Sequence, residues 1–326
     1  MSFRRGILAL IPVALLGATG PLHADPRSWS EEWPRTDFSR HSVDYSEIIS
    51  GGPPKDGIPA IDSPAFVPAA EARNLAPHEP VISVAIGDEA RAYPLRIMVW
   101  HEIVNDTVGG VPVAVTWCPL CNSSVVFDRR MAGRVLGFGT TGKLRHSDLV
   151  MYDRQTESWW QQFSGQAIVG EMLGAELKMV PARVESVARF RNRFPEGKVL
   201  APPDPSARPY GQNPYAGYDR AAQPFLYKGD YSGKVPPLAR VVAVDGKAWT
   251  LELVRKRQRI EAGDIVITWE PGQASPLDSA EIGGGREIGN VVVRRRTANG
   301  LEDAVYDVSF AFAFLAFNPG APIIAE

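Results

Sequence analysis

The chain has 326 residues and a formal net charge of −2, with 35 basic and 37 acidic residues spread along it. This balance argues against nucleic acid or an anionic membrane surface as a partner. Only two cysteines are present, so the chain is not a scaffold held together by several disulfides. Its 30 glycines and 28 prolines favour many turns and few long helices.

The first 24 residues have the three-part pattern of a secretory signal peptide. Arg4 and Arg5 precede an apolar run that ends near Ala18, and a cleavage site follows Ala24. The run is too short to span a membrane comfortably, although an uncleaved anchor is the alternative. The paired arginines also resemble a twin-arginine signal, so the export route stays open. We predict a periplasmic or secreted protein with no membrane span after cleavage.

Beyond the leader, short strands separated by turn residues dominate the pattern. Helices are expected at residues 69–75, in PLRIMV behind Pro94, and most clearly at residues 184–194. From HEIVND onward the pattern has period two and predicts strands, as do later segments such as AWTLEL. Alternating Phe310, Phe312 and Phe314 predict a final strand with one buried face. The sequence therefore predicts a mainly β (α+β) protein with few short helices, sandwich- or barrel-like.

The second half of the chain repeats the pattern of the first. VPVAVTWCPLCNSS matches GDIVITWEPGQASP, with Thr-Trp, Pro and Ser at equal spacing. Glu270 and Gln273 stand in the second copy where the first has its cysteines. The second copy is also seven residues shorter between its first turn and its Thr-Trp, which predicts that it lacks a counterpart of VWHEIVND. Because the repeat persists without the cysteines, the fold itself should not need them.

These observations predict four segments. Residues 1–24 are the signal peptide, and residues 25–200 form a β module with flanking helices that contains CPLC. Residues 201–219, rich in proline and tyrosine, are a linker or an ordered loop. Residues 220–326 form a second, related β module that lacks the cysteines.

Cys118 and Cys121 lie in TWCPLCNSSVVFDRR, and three interpretations of the pair are open. Trp-Cys-x-x-Cys after an apolar strand resembles thioredoxin, which makes a periplasmic thiol–disulfide oxidoreductase one candidate. The residues that follow, however, favour turn and strand over the helix whose N-terminus would lower a thiol pKa. A structural disulfide is also allowed in an oxidising compartment, although so short a loop would add little stability.

The third interpretation is a metal knuckle, in which two thiolates converge on one ion. Asn122 suits the left-handed conformation that such a turn adopts after its second cysteine. Two thiolates leave a metal site incomplete, so further donors are required. Hairpin pairing predicts that His101, or failing it Glu102, lies beside the cysteines, although His101 could instead be a hydrogen-bonded strand histidine. The predicted metal ligands are Cys118, Cys121, His101 and Glu102.

The predicted ligands also limit which metal ion and which partner the protein could bind. Soft donors in an exported protein suit Cu(I) at least as well as zinc, so the predicted cofactor is Cu(I) or Zn(II). The predicted partner is a metal ion, or a metal or redox partner protein, with copper handling as the favoured form. His146 and Met151 are further candidate ligands, and Gln161 or Gln162 is expected beside the knuckle. Whether the protein is an enzyme stays open, because an open metal position could be catalytic.

Several motifs together resemble a known family. In chain order they are GGPPKDGIPAID, RAYPLRI, HEIVND, VTWCPLCNSSVVFDR and LVMYDRQTESWWQQFSGQAIVG. They resemble a family of exported bacterial and archaeal proteins classed as a domain of unknown function, over residues 51–200 and the later AFNP segment. The resemblance implies no particular activity. It implies that the cysteines, His101, Glu102, Asn105 and Asp106 fall in family motifs. It argues against a ligand role for His146, since members often have Asn there.

Overall fold

The computed structural model of the protein describes residues 26–326, and the predicted signal peptide therefore lies outside the described residues. The protein is mainly β with short helices, which confirms the predicted fold class. Among residues 26–326, no helix combines the length and apolar character needed to cross a membrane. The helices are α1 Pro26–Trp29, α2 Leu95–His101, α3 Val187–Arg193, α4 Leu251–Arg257 and α5 Ala311–Phe317.

The first part of the described chain contains fifteen strands. They are β1 Ile48–Ser50, β2 Phe66–Pro68, β3 Pro80–Ile86, β4 Glu89–Pro94, β5 Ile103–Val108, β6 Val111–Cys118, β7 Ser123–Asp128, β8 Arg130–Met131, β9 Arg134–Val135, β10 Phe138–Arg145, β11 Asp148–Asp153, β12 Trp159–Gln161, β13 Ala167–Val169, β14 Arg183–Ser186 and β15 Lys198–Leu200. They form sheets in the orders β1-β10-β11-β12-β13, β14-β3-β4-β15-β2 and β5-β6-β7, with β8 and β9 as a separate pair.

The second part contains eight strands in two sheets. They are β16 Arg240–Val244, β17 Lys247–Thr250, β18 Arg259–Ala262, β19 Ile265–Glu270, β20 Asn290–Thr297, β21 Gly300–Asp303, β22 Asp307–Phe310 and β23 Ile323–Ile324. The sheet orders are β22-β16-β17-β23 and β18-β19-β20-β21.

The same arrangement of elements occurs twice in the described chain. Two antiparallel strands lead into a seven-residue helix and then a hairpin, as β3-β4-α2-β5-β6 and as β16-β17-α4-β18-β19. A strand followed by a seven-residue helix also recurs, as β14-α3 and β22-α5. The next strand then pairs in parallel with β4 or with β17. The protein thus contains two related β modules, with β2 added at one sheet edge of the first.

The prediction that the second module lacks a counterpart of VWHEIVND is wrong. Helix α4 and strand β18 occupy that place. The backbone N–H of Trp269 donates to Gln258 O at 3.0 Å, and the N–H of Trp117 likewise donates to Glu102 O at 2.8 Å. The second module is shorter because its strands are shorter: β17 and β18 have four residues each, against six in β4 and in β5.

Several element predictions differ from the structure where a strand passes directly into a helix. AWTLEL, predicted as a strand, contains the start of α4, and the predicted final strand ends at Phe310, beyond which α5 begins. The helix predicted over residues 184–194 starts at Val187, because the preceding residues pair with β3. Residues 69–75 form turns rather than a helix. A few residues of apolar alternation cannot reveal a change of period within them.

The largest hydrophobic core contains residues from both modules. Trp117 of the cysteine hairpin and Phe310 of β22 belong to the same buried cluster. Three tyrosines of the segment between the modules, Tyr210, Tyr215 and Tyr218, pack against this cluster. The cysteine hairpin is therefore enclosed by residues from distant parts of the chain.

Candidate metal centre

The two cysteines lie at the tight turn between β6 and β7. Cys118 is the last residue of β6 and pairs with Ser123, the first residue of β7. Asn122 has φ 51°, the left-handed conformation expected of a metal knuckle. Its side-chain amide donates to Val308 O at 3.0 Å, and Phe310 N donates to Cys121 O at 2.9 Å. The turn is therefore held from the β22 side, and both thiols are free and buried.

A buried carboxyl group lies next to the two thiols. Asp148 is the first residue of β11, directly after the tight turn His146-Ser147, both of which have positive φ. Among the described residues, one donor atom each from Cys118, Cys121 and Asp148 lie within 4.8 Å of one another. All three side chains are buried. This is the spacing of ligands that could share one ion.

Among residues 26–326, hydrogen bonds reach only one oxygen of Asp148. Gln161 Nε2 donates to Oδ2 at 2.6 Å, and Phe163 N donates to the same oxygen at 2.9 Å. Oδ1 is buried and has no hydrogen-bond partner among the described residues. The Cys121 thiol is close enough to stabilise the charged carboxylate, yet it makes no hydrogen bond of proper geometry to Oδ1. Asp148 is thus oriented through Oδ2 and leaves Oδ1 available.

His101 does not join this group, contrary to the ligand assignment made from the sequence. It is the last residue of α2 rather than part of β5, so strand pairing does not direct its side chain. Nδ1 donates to Pro59 O at 2.7 Å, and Nε2 accepts from the Tyr210 hydroxyl at 2.8 Å. Since both ring nitrogens are used, His101 has no free lone pair for a metal. It ties α2 to two loops instead.

Glu102 follows as the C-cap of α2, and its carboxylate has no partner among the described residues. Its φ of 57° lies in the region that few non-glycine residues adopt. The residue is only 7% exposed, and its carboxylate has no hydrogen-bond or ion-pair partner among the described residues. It stands outside the three-donor group but lines a cavity of about 80 Å³ together with Cys118.

The same cavity is lined by Tyr215 from the segment between the modules and by the mostly buried Lys143. The Tyr215 hydroxyl also makes no hydrogen bond to a described residue, whereas Lys143 Nζ lies 3.3 Å from a Glu32 carboxylate oxygen. Nearby, Tyr218 donates its hydroxyl to Leu120 O at 3.0 Å, inside the knuckle. The tyrosine-rich segment therefore forms one wall of the site.

The remaining residues singled out from the sequence have structural partners. The Asn105 amide bonds both backbone groups of Phe138, and the carboxylate of Asp106 pairs with Arg91. His146 Nε2 lies 3.3 Å from a Glu47 oxygen. Gln161 or Gln162 was expected beside the knuckle. Gln161 orients Asp148, and Gln162 Nε2 donates to Thr116 Oγ1 of β6 at 2.8 Å.

A family model described as "Protein of unknown function (DUF3179)" matches residues 55–321, most of the chain. The chain belongs to this family. No match was found among curated proteins or among solved structures. All residues of the candidate site in this DUF3179 protein fall within the matched range.

Burial raises the pKa of every acid in the DUF3179 site. Desolvation is the largest cause for both thiols, and the shift is greater for Cys121, which donates towards Cys118. Burial raises the pKa of Asp148 to about 7, against the opposing bond from Gln161. Burial, with the charge of Asp148, raises the pKa of Glu102 to about 8. A bound cation would oppose these shifts by stabilising thiolate and carboxylate forms.

The residue that sequence reasoning missed is Asp148. It lies 27 positions after Cys121 in a different sheet, so no local spacing connects it to the knuckle. The signal that could have found it is the HSD turn that opens a strand, since turns at strand ends often carry functional side chains. His146 drew attention to this turn, but the donor lies two residues further on.

Proposed function

We propose that this protein binds one metal ion through Cys118, Cys121 and Asp148. The observation that supports the proposal is the buried convergence of two free thiols and an unsatisfied carboxylate oxygen within 4.8 Å. Leaving such a group of acids buried without a cation is costly, because each would have to stay protonated. A metal ion would satisfy Oδ1 and the two sulfurs at once.

The donor set favours Zn(II) over Cu(I). Thiolates bind both ions, but a carboxylate oxygen is a hard ligand that suits a borderline dication better than the soft Cu(I). Zinc commonly takes four ligands, and sites with three protein ligands keep the fourth position for water or substrate. Copper handling is the alternative form of the proposal, in which only the two thiolates bind the ion. In either form the leader predicts a periplasmic or secreted location.

The geometry gives less support to thiol–disulfide exchange. An exchange catalyst needs an accessible thiolate with a lowered pKa, usually at a helix N-terminus. Here both thiols are buried with raised pKa values, and a strand follows the second cysteine.

The proposal is tested by metal titration of protein purified under reducing conditions. Zn(II) and Cu(I) are titrated in turn against a chromophoric competitor, with the bound metal counted by elemental analysis. We expect about one Zn(II) per chain, bound tightly enough to be retained in the presence of the competitor, which removes adventitious metal. Asp148→Asn, and Cys118→Ser combined with Cys121→Ser, should each weaken binding by on the order of 100-fold or more, since even outer partners of metal ligands contribute 10- to 100-fold.

A matched control exists in the second module. Glu270 closes β19 as Cys118 closes β6, but it is exposed and pairs with Arg189 on the surface. Glu270→Gln should leave metal affinity unchanged. Stoichiometric Zn(II) binding that persists in the double serine variant would refute the proposed site.

A further inference from the structure

The cavity beside Cys118 holds polar groups that the protein itself does not satisfy. The carboxylate of Glu102 and the hydroxyl of Tyr215 both line it, and neither has a hydrogen-bond partner among the described residues. The two groups and Cys118 are near enough to interact electrostatically. Glu102 is only 7% exposed and Tyr215 is partly buried, so a ligand in this cavity would supply hydrogen-bond partners that the described residues do not.

The second module has an equivalent of Glu102 that does not line a cavity. Gln258 ends α4 with φ 60° and ψ −30°, almost the same backbone conformation as Glu102, with φ 57° and ψ −30°. The Gln258 side chain is exposed and donates to Arg255 O in its own helix. The fold therefore accepts an exposed polar residue here, whereas the first module places the carboxylate of Glu102 inside the protein with no partner among the described residues.

We propose that this cavity binds a small uncharged molecule with adjacent hydrogen-bond donor and acceptor groups, such as a simple amide, as a ligand of the metal. The proposal rests on the metal site proposed above. The carbonyl oxygen would take the open metal position, with the Tyr215 hydroxyl donating to it. Glu102 would accept the N–H. The site would then receive a substrate instead of only storing an ion.

Size and charge both limit the ligand. The cavity has a volume of only about 80 Å³, which favours a compact ligand with few non-hydrogen atoms. The metal-bound thiolates and the carboxylate of Asp148 disfavour an anion, while the metal and the neighbouring Lys143 disfavour a cation. An uncharged donor–acceptor compound avoids both penalties.

The experiment uses the full chain loaded with Co(II), whose spectrum reports its ligands. Thiolate coordination gives a sulfur-to-cobalt charge-transfer band, and the visible d–d bands report whether the fourth position changes. Acetamide is titrated into this protein, with acetate as the anionic comparison. We expect acetamide to shift the d–d bands with saturation and acetate to have a much weaker effect.

Two variants make the test specific. Glu102→Met removes the acceptor at similar length, and Tyr215→Phe removes only the hydroxyl. Each should weaken acetamide binding by about tenfold, the loss expected for one hydrogen bond to a charged or metal-polarised group. The charge-transfer band should stay unchanged. If the Glu102 variant does not fold, Tyr215→Phe alone tests whether the cavity binds acetamide.

The outcomes separate the two proposals. Absence of the charge-transfer band in the unmodified protein would overturn the metal site and this inference together. A normal band with no acetamide effect, or with an equal effect in both variants, would overturn the ligand site and leave the metal site standing.

Discussion

Replacing Glu102 by glutamine should make the metal-free protein more stable at alkaline pH. The pKa of this carboxyl is raised by burial from 4.5 to about 8 in the folded protein. Because the folded pKa exceeds the unfolded one, the stability that the protonated form contributes is present below pH 4.5. It is lost as the pH rises towards 8. Glutamine cannot ionise, so it removes this dependence.

The magnitude follows from linkage between the two pKa values. Relative to low pH, the carboxyl of Glu102 lowers the free energy of unfolding by about 1 kcal/mol at pH 5 and by about 4 kcal/mol at pH 8. The substitution has its own pH-independent effect, because a buried amide replaces a buried acid. The quantity to compare is therefore the change between the two pH values, which should favour Glu102→Gln by about 3 kcal/mol.

The assay is urea unfolding of metal-free, reduced protein at pH 5 and pH 8. The converse variant Gln258→Glu, at the exposed equivalent position, serves as the control and should show no such pH-dependent difference. If the stability difference between wild type and Glu102→Gln is the same at both pH values, the buried carboxyl is not isolated as described. Added Zn(II) should stabilise wild type more at pH 8 than at pH 5, since protons compete for the same ligands.

Three further outcomes are expected. Gly142→Ala should lower the free energy of unfolding, measured in urea, by about 3 kcal/mol or more, because an added Cβ would lie 2.0 Å from Pro53 O at the cavity wall. Gly133 has a similar φ but open space around it, so Gly133→Ala should lower the free energy of unfolding by only about 1 kcal/mol. Tyr218→Phe removes the hydroxyl that donates to Leu120 O and accepts from Phe225 N, and should cost about 1 kcal/mol or more by the same measurement. An unchanged value would mean that these bonds do not hold the wall. The two thiols of native metal-free protein should react with a disulfide reagent at least about 100-fold more slowly than in urea, and rapid reaction would instead favour the oxidoreductase interpretation.

The conformation of the cysteine turn could be predicted from the local sequence. Cys-Pro-x-Cys followed by Asn122 predicted a turn with a left-handed residue, and the structure has that turn. The predicted register of the β5-β6 hairpin is also confirmed, because Trp117 N donates to Glu102 O, within one residue of the predicted pairing. These properties depend on residues close in sequence or joined by a short hairpin, for which patterns are informative.

The third donor could not be predicted in the same way. Pairing alone would have set His101 beside Cys118, but α2 ends at His101 and turns its ring towards Pro59 and Tyr210. The donor that replaces it, Asp148, comes from a separate sheet whose packing on the hairpin is a tertiary property. Helices α4 and α5 were missed for other reasons. Each begins directly after a strand, and α5 is in addition buried on most sides, which hides its 3.6-residue period.

The bond from Asn122 to Val308 spans 186 residues, and it bears on when the site can exist. A ribosome releases the cysteine turn long before it makes β22, which supplies that carbonyl and the Phe310 N–H bonded to Cys121. During that interval the turn has no partner strand on this side and its thiols are open to oxidation. Loading of the proposed metal site should therefore follow completion of β22. If the chain is exported unfolded, as the predicted leader would allow, this step would take place in the compartment of arrival.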